Sequence, residues 1–190
     1  MRRVLVFALV TSALALAAPK KQVKAPPPPP PPPPTSPMPG VQENLSEKVL
    51  EVLAGATKVQ AFRVAGSGGI RPDPTKAIGS EFVREAAGKE LSAEQLTLLR
   101  GVLYDDTSYR FEQDVAKCNF TPDVSLQSQA GVDTVEAVIS FKCSQVLFML
   151  GKPGGRWLPS GTFDVKPVRA KLLELAKATM DKDRPTQALK

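Results

Sequence analysis

The sequence predicts an α+β domain, with an antiparallel sheet of about four or five strands packed by about three helices. Three observations carry that expectation. Apolar residues recur at helical spacing in three separated stretches, and one of these, beginning at Ser92, opens with a capping signature. Shorter apolar stretches between them alternate with period two. Two of the alternating stretches, between Cys118 and Cys143, fold onto each other as a hairpin with one apolar and one polar face.

What precedes the domain is a leader and a spacer. Residues 1–17 carry a basic head (Arg2, Arg3), an apolar stretch, and Ala15 and Ala17 where a signal peptidase reads, so cleavage after Ala17 is expected. The apolar run, about 13 residues, falls short of the roughly 20 that a spanning helix needs. Membrane contact is therefore expected only through this transient signal peptide. A lipoprotein would need a cysteine just past the apolar run, and the only cysteines are Cys118 and Cys143. Residues 18–40 then hold Lys20, Lys21, Lys24 and nine consecutive prolines, Pro26 to Pro34. Proline fixes its own φ and disfavours helix in the residue before it, which predicts a polyproline II rod of about 28 Å at about 3.1 Å per residue. Composition alone leaves open whether the rod is a passive spacer or a docking segment.

The net charge of +6 belongs mostly to these two segments. Residues 41–190 hold 20 Lys and Arg against 19 Asp and Glu. A nearly neutral domain has little grip on phosphate backbones, so no nucleic-acid partner is expected. Its 150 residues suffice for a single compact core.

Within the domain, residues 43–54 read as a first helix, with Leu45, Val49, Val52 and Leu53 on one face and Gly55 ending it. A short strand follows over 58–64. Gly66, Gly68, Gly69, Pro72 and Pro74 then mark a loop that lacks the Lys-Ser or Lys-Thr of a phosphate cradle. A second strand is expected over 78–85. Ser92 and Gln95 form a capping box, Leu91 staples onto Leu96, and Leu96, Leu99 and Leu103 line a core helix.

Folding residues 118–143 about Ala130-Gly131, so that paired numbers sum to 261, collects Cys118, Phe120, Pro122, Val124 and Leu126 opposite Cys143, Phe141, Ile139, Ala137 and Val135. The other face is nearly all polar and takes Asn119, Thr121, Asp123, Ser125 and Gln127 opposite Lys142, Ser140, Val138, Glu136 and Thr134. This register sets Cys118 opposite Cys143, within disulfide reach, and an exported chain would oxidise them. Without C-x-x-C spacing the pair reads as a structural staple. A bend near Ser144-Gln145 and a strand through Val146, Phe148 and Leu150 to Gly151 come next. Residues 152–163 read as a Gly- and Pro-rich loop whose Trp157 lids the core. The closing helix, 167–180, buries Val168, Leu172, Leu175 and Met180.

The run Cys118-Asn119-Phe120-Thr121-Pro122-Asp123, the ending Ser140-Phe141-Lys142-Cys143, and the closing Leu172-Leu173-Glu174-Leu175-Ala176-Lys177 resemble a family of uncharacterised secreted bacterial proteins over roughly residues 41–190. The resemblance implies an extracytoplasmic place and the hairpin, and it implies no activity. Members resemble one another in a C-x-x-C where this chain has Ser140 and Cys143.

The chain has no histidine, which removes Ser-His and Cys-His nucleophiles and His-based metal sites. Neither a metal nor another cofactor is expected, and no catalytic residue is assigned. Asp105-Asp106, beside Tyr104 and Tyr109, is the densest acidic and aromatic spot, read as a capped turn before a carboxylate pair. Asn44-Leu45-Ser46 and Asn119-Phe120-Thr121 match a glycosylation pattern that arises often by chance. The function expected is a non-enzymatic envelope module, secreted or periplasmic, that binds a protein or cell-wall component. The alternative is a cell-wall-directed enzyme or inhibitor working through carboxylates.

Overall fold

The computed structural model describes residues 32, 34–69, 72–111 and 118–190. The expected signal peptide and most of the expected spacer lie outside the described residues. Pro39 and Gly40, read as the end of the spacer, open a short helix, α1 (Pro39–Asn44). Helix α2 (Glu47–Gly55) follows after a break at Leu45-Ser46, where the Ser46 hydroxyl accepts from the Val49 amide. The apolar spacing that suggested one continuous helix therefore spans two, because Ser46 competes for the backbone as an N-cap.

Among the described residues seven strands form one antiparallel sheet, which corrects the expected four or five. They are β1 (Val59–Gly66), β2 (Ala77–Ile78), β3 (Phe82–Glu90), β4 (Val124–Ala130), β5 (Asp133–Ser140), β6 (Gln145–Gly151) and β7 (Trp157–Asp164), in the order β2-β3-β1-β4-β5-β6-β7. Two strands escaped the reading of the sequence. Gly79, at φ +67°, turns the stretch expected as one strand into the β2–β3 hairpin. The segment expected as a loop, with Pro159 and Gly161, is the edge strand β7, where a proline costs no central ladder bond.

The fold is mostly sheet, which corrects the expected α+β class. Only α2, α3 (Ala93–Leu103) and α4 (Arg169–Thr179) among the described helices exceed six residues, and α5 (Arg184–Gln187) is a single turn. The capping box at Ser92 and Gln95 forms as expected. Val168, Leu172, Leu175 and Met180 are all buried. With α2 and α3 they pack on one face of the sheet, against Val59, Leu126, Ala137 and Phe148 among others.

The β4–β5 hairpin pairs residues that sum to 263, not 261, from Val124 with Ile139 to Ala130 with Asp133. Gly131, at φ +60°, takes the first central position of the two-residue turn, the place that type II′ reserves for glycine. A slip of two residues keeps every side chain on its predicted face. It also shortens the hairpin, so Cys118 lies outside the strands and Cys143 in the turn between β5 and β6. Their disulfide still forms, with Cα atoms 5.8 Å apart.

Helix α4 crosses β3 so closely that a Cβ at Gly88 would overlap Met180 Sδ and lie 2.8 Å from the Thr179 carbonyl oxygen. Gly88→Ala is expected to lower stability by about 1 to 3 kcal/mol, because a backbone oxygen cannot swing aside; chemical denaturation reads this directly. Just past the same end of α4, Asp183 caps α5 by accepting from the Thr186 amide and hydroxyl, and it pairs with Arg63 at 3.1 Å. Burial opposes the charge, yet Thr186 and Arg63 hold this carboxyl below the ordinary aspartate value. A depressed value means stability that is present above about pH 4 and lost as pH falls through the folded pKa. Asp183→Asn is therefore expected to be less stable near neutrality and to lose less on acidification, as melts from pH 6 down to pH 2 would show.

Candidate functional site

The face of the sheet away from the helices was expected to be polar, and it is buried. Ser125, Thr134, Glu136, Val138 and Ser140 are all fully inaccessible. A second apolar cluster, Val64, Ile78, Phe82, Val138, Met149 and Trp157, draws on six strands and on no described helix. A sheet can bury such a face without helices only by bending around it.

The side-chain contacts require that bend. Strands β3 and β5 lie three spacings apart, about 14 Å in a flat sheet, too far for upright side chains to meet. Arg84 on β3 nevertheless donates from Nε to Glu136 Oε1 on β5 at 2.9 Å, and from Nη2 to the same oxygen. Strand β7 is five spacings from β3, about 24 Å when flat. Yet the Arg84 guanidinium lies 5.7 Å from the Trp157 ring and 5.2 Å from Phe62. The sheet curls as a half-barrel, with Arg84 on its inside between two aromatic rings.

The inner polar group is built in rows. Gln127 pairs with Glu136 across β4 and β5, and its Nε2 donates to the same Oε1 at 2.9 Å. Arg84 Nη1 reaches the Thr75 carbonyl and so ties down the loop before β2. Gly151 pairs with both Thr134 and Trp157, and a Cβ there would lie 2.7 Å from the indole, which therefore lies over bare backbone. Burial pushes the Glu136 carboxyl above its ordinary value, against the pull of Arg84, Ser125 and Gln127. All three donors with a hydrogen bond to Glu136 crowd Oε1. Glu136 Oε2, Thr134 Oγ1 and Trp157 Nε1 have no hydrogen-bond partner among the described residues. Ser125 Oγ lies near enough to favour the charged carboxylate yet makes no bond of hydrogen-bond geometry.

A cleft of about 320 Å³ reaches Arg84 and Gln127 of this group, lined by them and by Phe62, Lys76, Glu85 and Pro153 among others, with Glu136 behind them. A larger cavity of about 600 Å³ is walled by Gly69, Pro72, Pro74, Gly79, Gly154 and their neighbours, where among the described residues Ser80 alone brings a polar side chain. The smaller cleft is the better candidate, since converging polar groups and an aromatic ring mark ligand sites better than size does.

The residues singled out in the sequence fall elsewhere. The disulfide staples residues 118–123 to the turn between β5 and β6, reinforced by Asp123, which accepts from the Phe141 amide at 2.7 Å. It holds Phe120 against Phe82 of the inner cluster, with ring centroids 6.0 Å apart. Asp105 accepts from the Thr107 amide and hydroxyl. Asp106 takes the Gly40 and Val41 amides at 3.0 and 2.7 Å. Both carboxylates thus cap backbone. Asp106→Ala is expected to loosen α1 and cost about 1 to 2 kcal/mol, which hydrogen exchange at Gly40 and Val41 would register. Trp157 does cover a core, but it is the inner one.

Arg84, Gln127 and Glu136 were missed as a site. The one signal was the nearly all-polar face of the hairpin. No family model matches the chain, and neither a curated protein nor a solved structure is significantly similar to it. Among the described residues no helix is long and apolar enough to cross a membrane.

Proposed function

We propose that this chain is a non-enzymatic extracytoplasmic module that binds a cell-wall component of the envelope in the cleft over Phe62, Arg84 and Gln127. The observation that carries the reading is the Arg84–Glu136 pair inside the curl. A buried ion pair commonly contributes less stability than apolar residues of the same volume. This one is accompanied by a cleft and by polar atoms that the fold leaves without partners, which is the composition of a binding site. Export is supported by the leader read in residues 1–17 and by the disulfide. Membership of a secreted bacterial family, read from the residues around Cys118 and Cys143, belongs to the same proposal.

The test is retention of the oxidised full chain on purified cell-wall sacculi. Wild type is expected to sediment with them, and Gln127→Ala to remain in solution while melting as a folded protein. Equal recovery of both in the supernatant, or equal retention, contradicts the reading.

A further inference from the structure

From the same cleft, and resting on the reading above, we infer that the group recognised is an uncharged polyhydroxylated ring, a neutral sugar unit of a glycan. Three features of the inner face point to that chemistry.

The first is charge. Among the described residues lining the cleft, Arg84 is ion-paired with Glu136 and Glu85 with Arg63 at 2.6 Å, while Lys76 makes no salt bridge and has Asp73 as the acidic group in its neighbourhood. A cleft compensated in this way gives neither an anion nor a cation a net attraction. The second is hydrogen-bond demand. The atoms without partners include an indole N–H that can only donate, a carboxylate oxygen that can only accept, and a threonine hydroxyl that can do both. Thr134 and Trp157 stand in one row across β5, β6 and β7, and Glu136 is the next residue on the same face of β5. None of these three residues lines the cleft, so a ligand dense in hydroxyls, each both donor and acceptor, meets this mixed demand through waters relayed behind Arg84 and Gln127. The third is the pairing of planar groups with an aromatic face. The guanidinium and the Gln127 amide offer paired donors and acceptors to adjacent hydroxyls, while Phe62 presents a ring to the C–H face of a sugar. The cleft of about 320 Å³ lies at the small end of ligand sites, about 300 to 1,000 Å³, the scale of one or two rings.

Trp157 is the only tryptophan, so its emission and its single indole N–H resonance report on the inner face without labelling chemistry. The oxidised full chain would be titrated with the disaccharide of N-acetylglucosamine, with the cationic glucosamine disaccharide and anionic glucuronate as charged comparisons. The expected result is a saturable shift of the Trp157 signal with the neutral sugar, weaker or absent with the charged ones. Gln127→Ala, and Phe62→Leu, which keeps the apolar fill and removes the ring, should each weaken it about tenfold, with a single cooperative melt, at a somewhat lower temperature, as the check on folding. If Phe62→Leu proves unfolded, Gln127→Ala decides alone. No saturable shift, a preference for a charged sugar, or a shift untouched by Gln127→Ala overturns the inference and leaves the inner polar atoms to solvent. If sacculi still retain the chain in that case, only the ligand class is wrong; if retention fails as well, the binding reading falls with it.

Discussion

Glu136→Leu is expected to lower stability by about 3 to 5 kcal/mol, because it leaves the Arg84 guanidinium buried inside the curl without its counter-charge. For a domain of this size that is roughly 6 to 20 °C in melting temperature. Arg84 is only 7 % exposed, and its remaining anchors are the Thr75 carbonyl and two aromatic rings, none of which carries a negative charge. Arg84→Met alone should fail by a similar amount, since Glu136 is fully buried and would keep only Gln127 as a hydrogen-bond donor. The double variant Arg84→Met/Glu136→Leu is expected to recover most or all of that loss, because apolar groups of similar volume need no desolvated partner. A full double-mutant cycle by chemical denaturation gives the coupling energy, which should be several kcal/mol in the sense that each single change is worse than both together. Additive losses would mean that the two side chains do not meet. The recovered fold should also fail to bind sacculi, which separates the pair's use from its contribution to stability.

Breaking the disulfide is the second large effect. Cys118 and Cys143 close a loop of 25 residues, which the chain-entropy account values at about 3.5 kcal/mol. Cys118→Ser/Cys143→Ser is therefore expected to melt roughly 7 to 14 °C below the oxidised wild type, and added reductant should bring wild type to the same value. The change has a local signature as well. Phe120 is held over Phe82 by the segment that the staple anchors, so hydrogen exchange should rise in β3 around Phe82 more than in α3 or α4. A melting temperature indifferent to reductant would contradict this assignment of the staple.

The fold's legibility in the sequence divides by range. Features that one element decides for itself were readable: the capping box at Ser92, the apolar stripe of α4, the bend before β6, and the two faces of the β4–β5 hairpin. The register was not, because sums of 261 and 263 preserve the same alternation, and only the turn preference of Gly131 distinguishes them. Strand β7 was hidden by Pro159 and Gly161, residues that read as loop unless the strand is known to lie at an edge. The site was hidden for a deeper reason. Serine, glutamine, threonine and glutamate alternating on one face are the pattern of a strand that meets water. They are buried here because the sheet closes over them, and closure is set by seven strands together. The pairing of Arg84 with Glu136 spans 52 residues in sequence, and no local spacing announces it.

The curl itself admits a direct measurement. In a flat or gently twisted sheet of this strand order, Trp157 on β7 would be far from β3. In the half-barrel it lies beside the Arg84 side chain, and the Gly79 turn after β2 comes within contact of it. Nuclear Overhauser contacts from the single tryptophan of the oxidised chain test this. The account predicts cross-peaks from the Trp157 ring protons to Arg84 side-chain protons and from the Trp157 β-protons to the Gly79 α-protons, alongside those from the ring to Gly151. Cross-peaks confined to β6 and the residues next to Trp157 in sequence would contradict the closure, and with it the site that the closure creates.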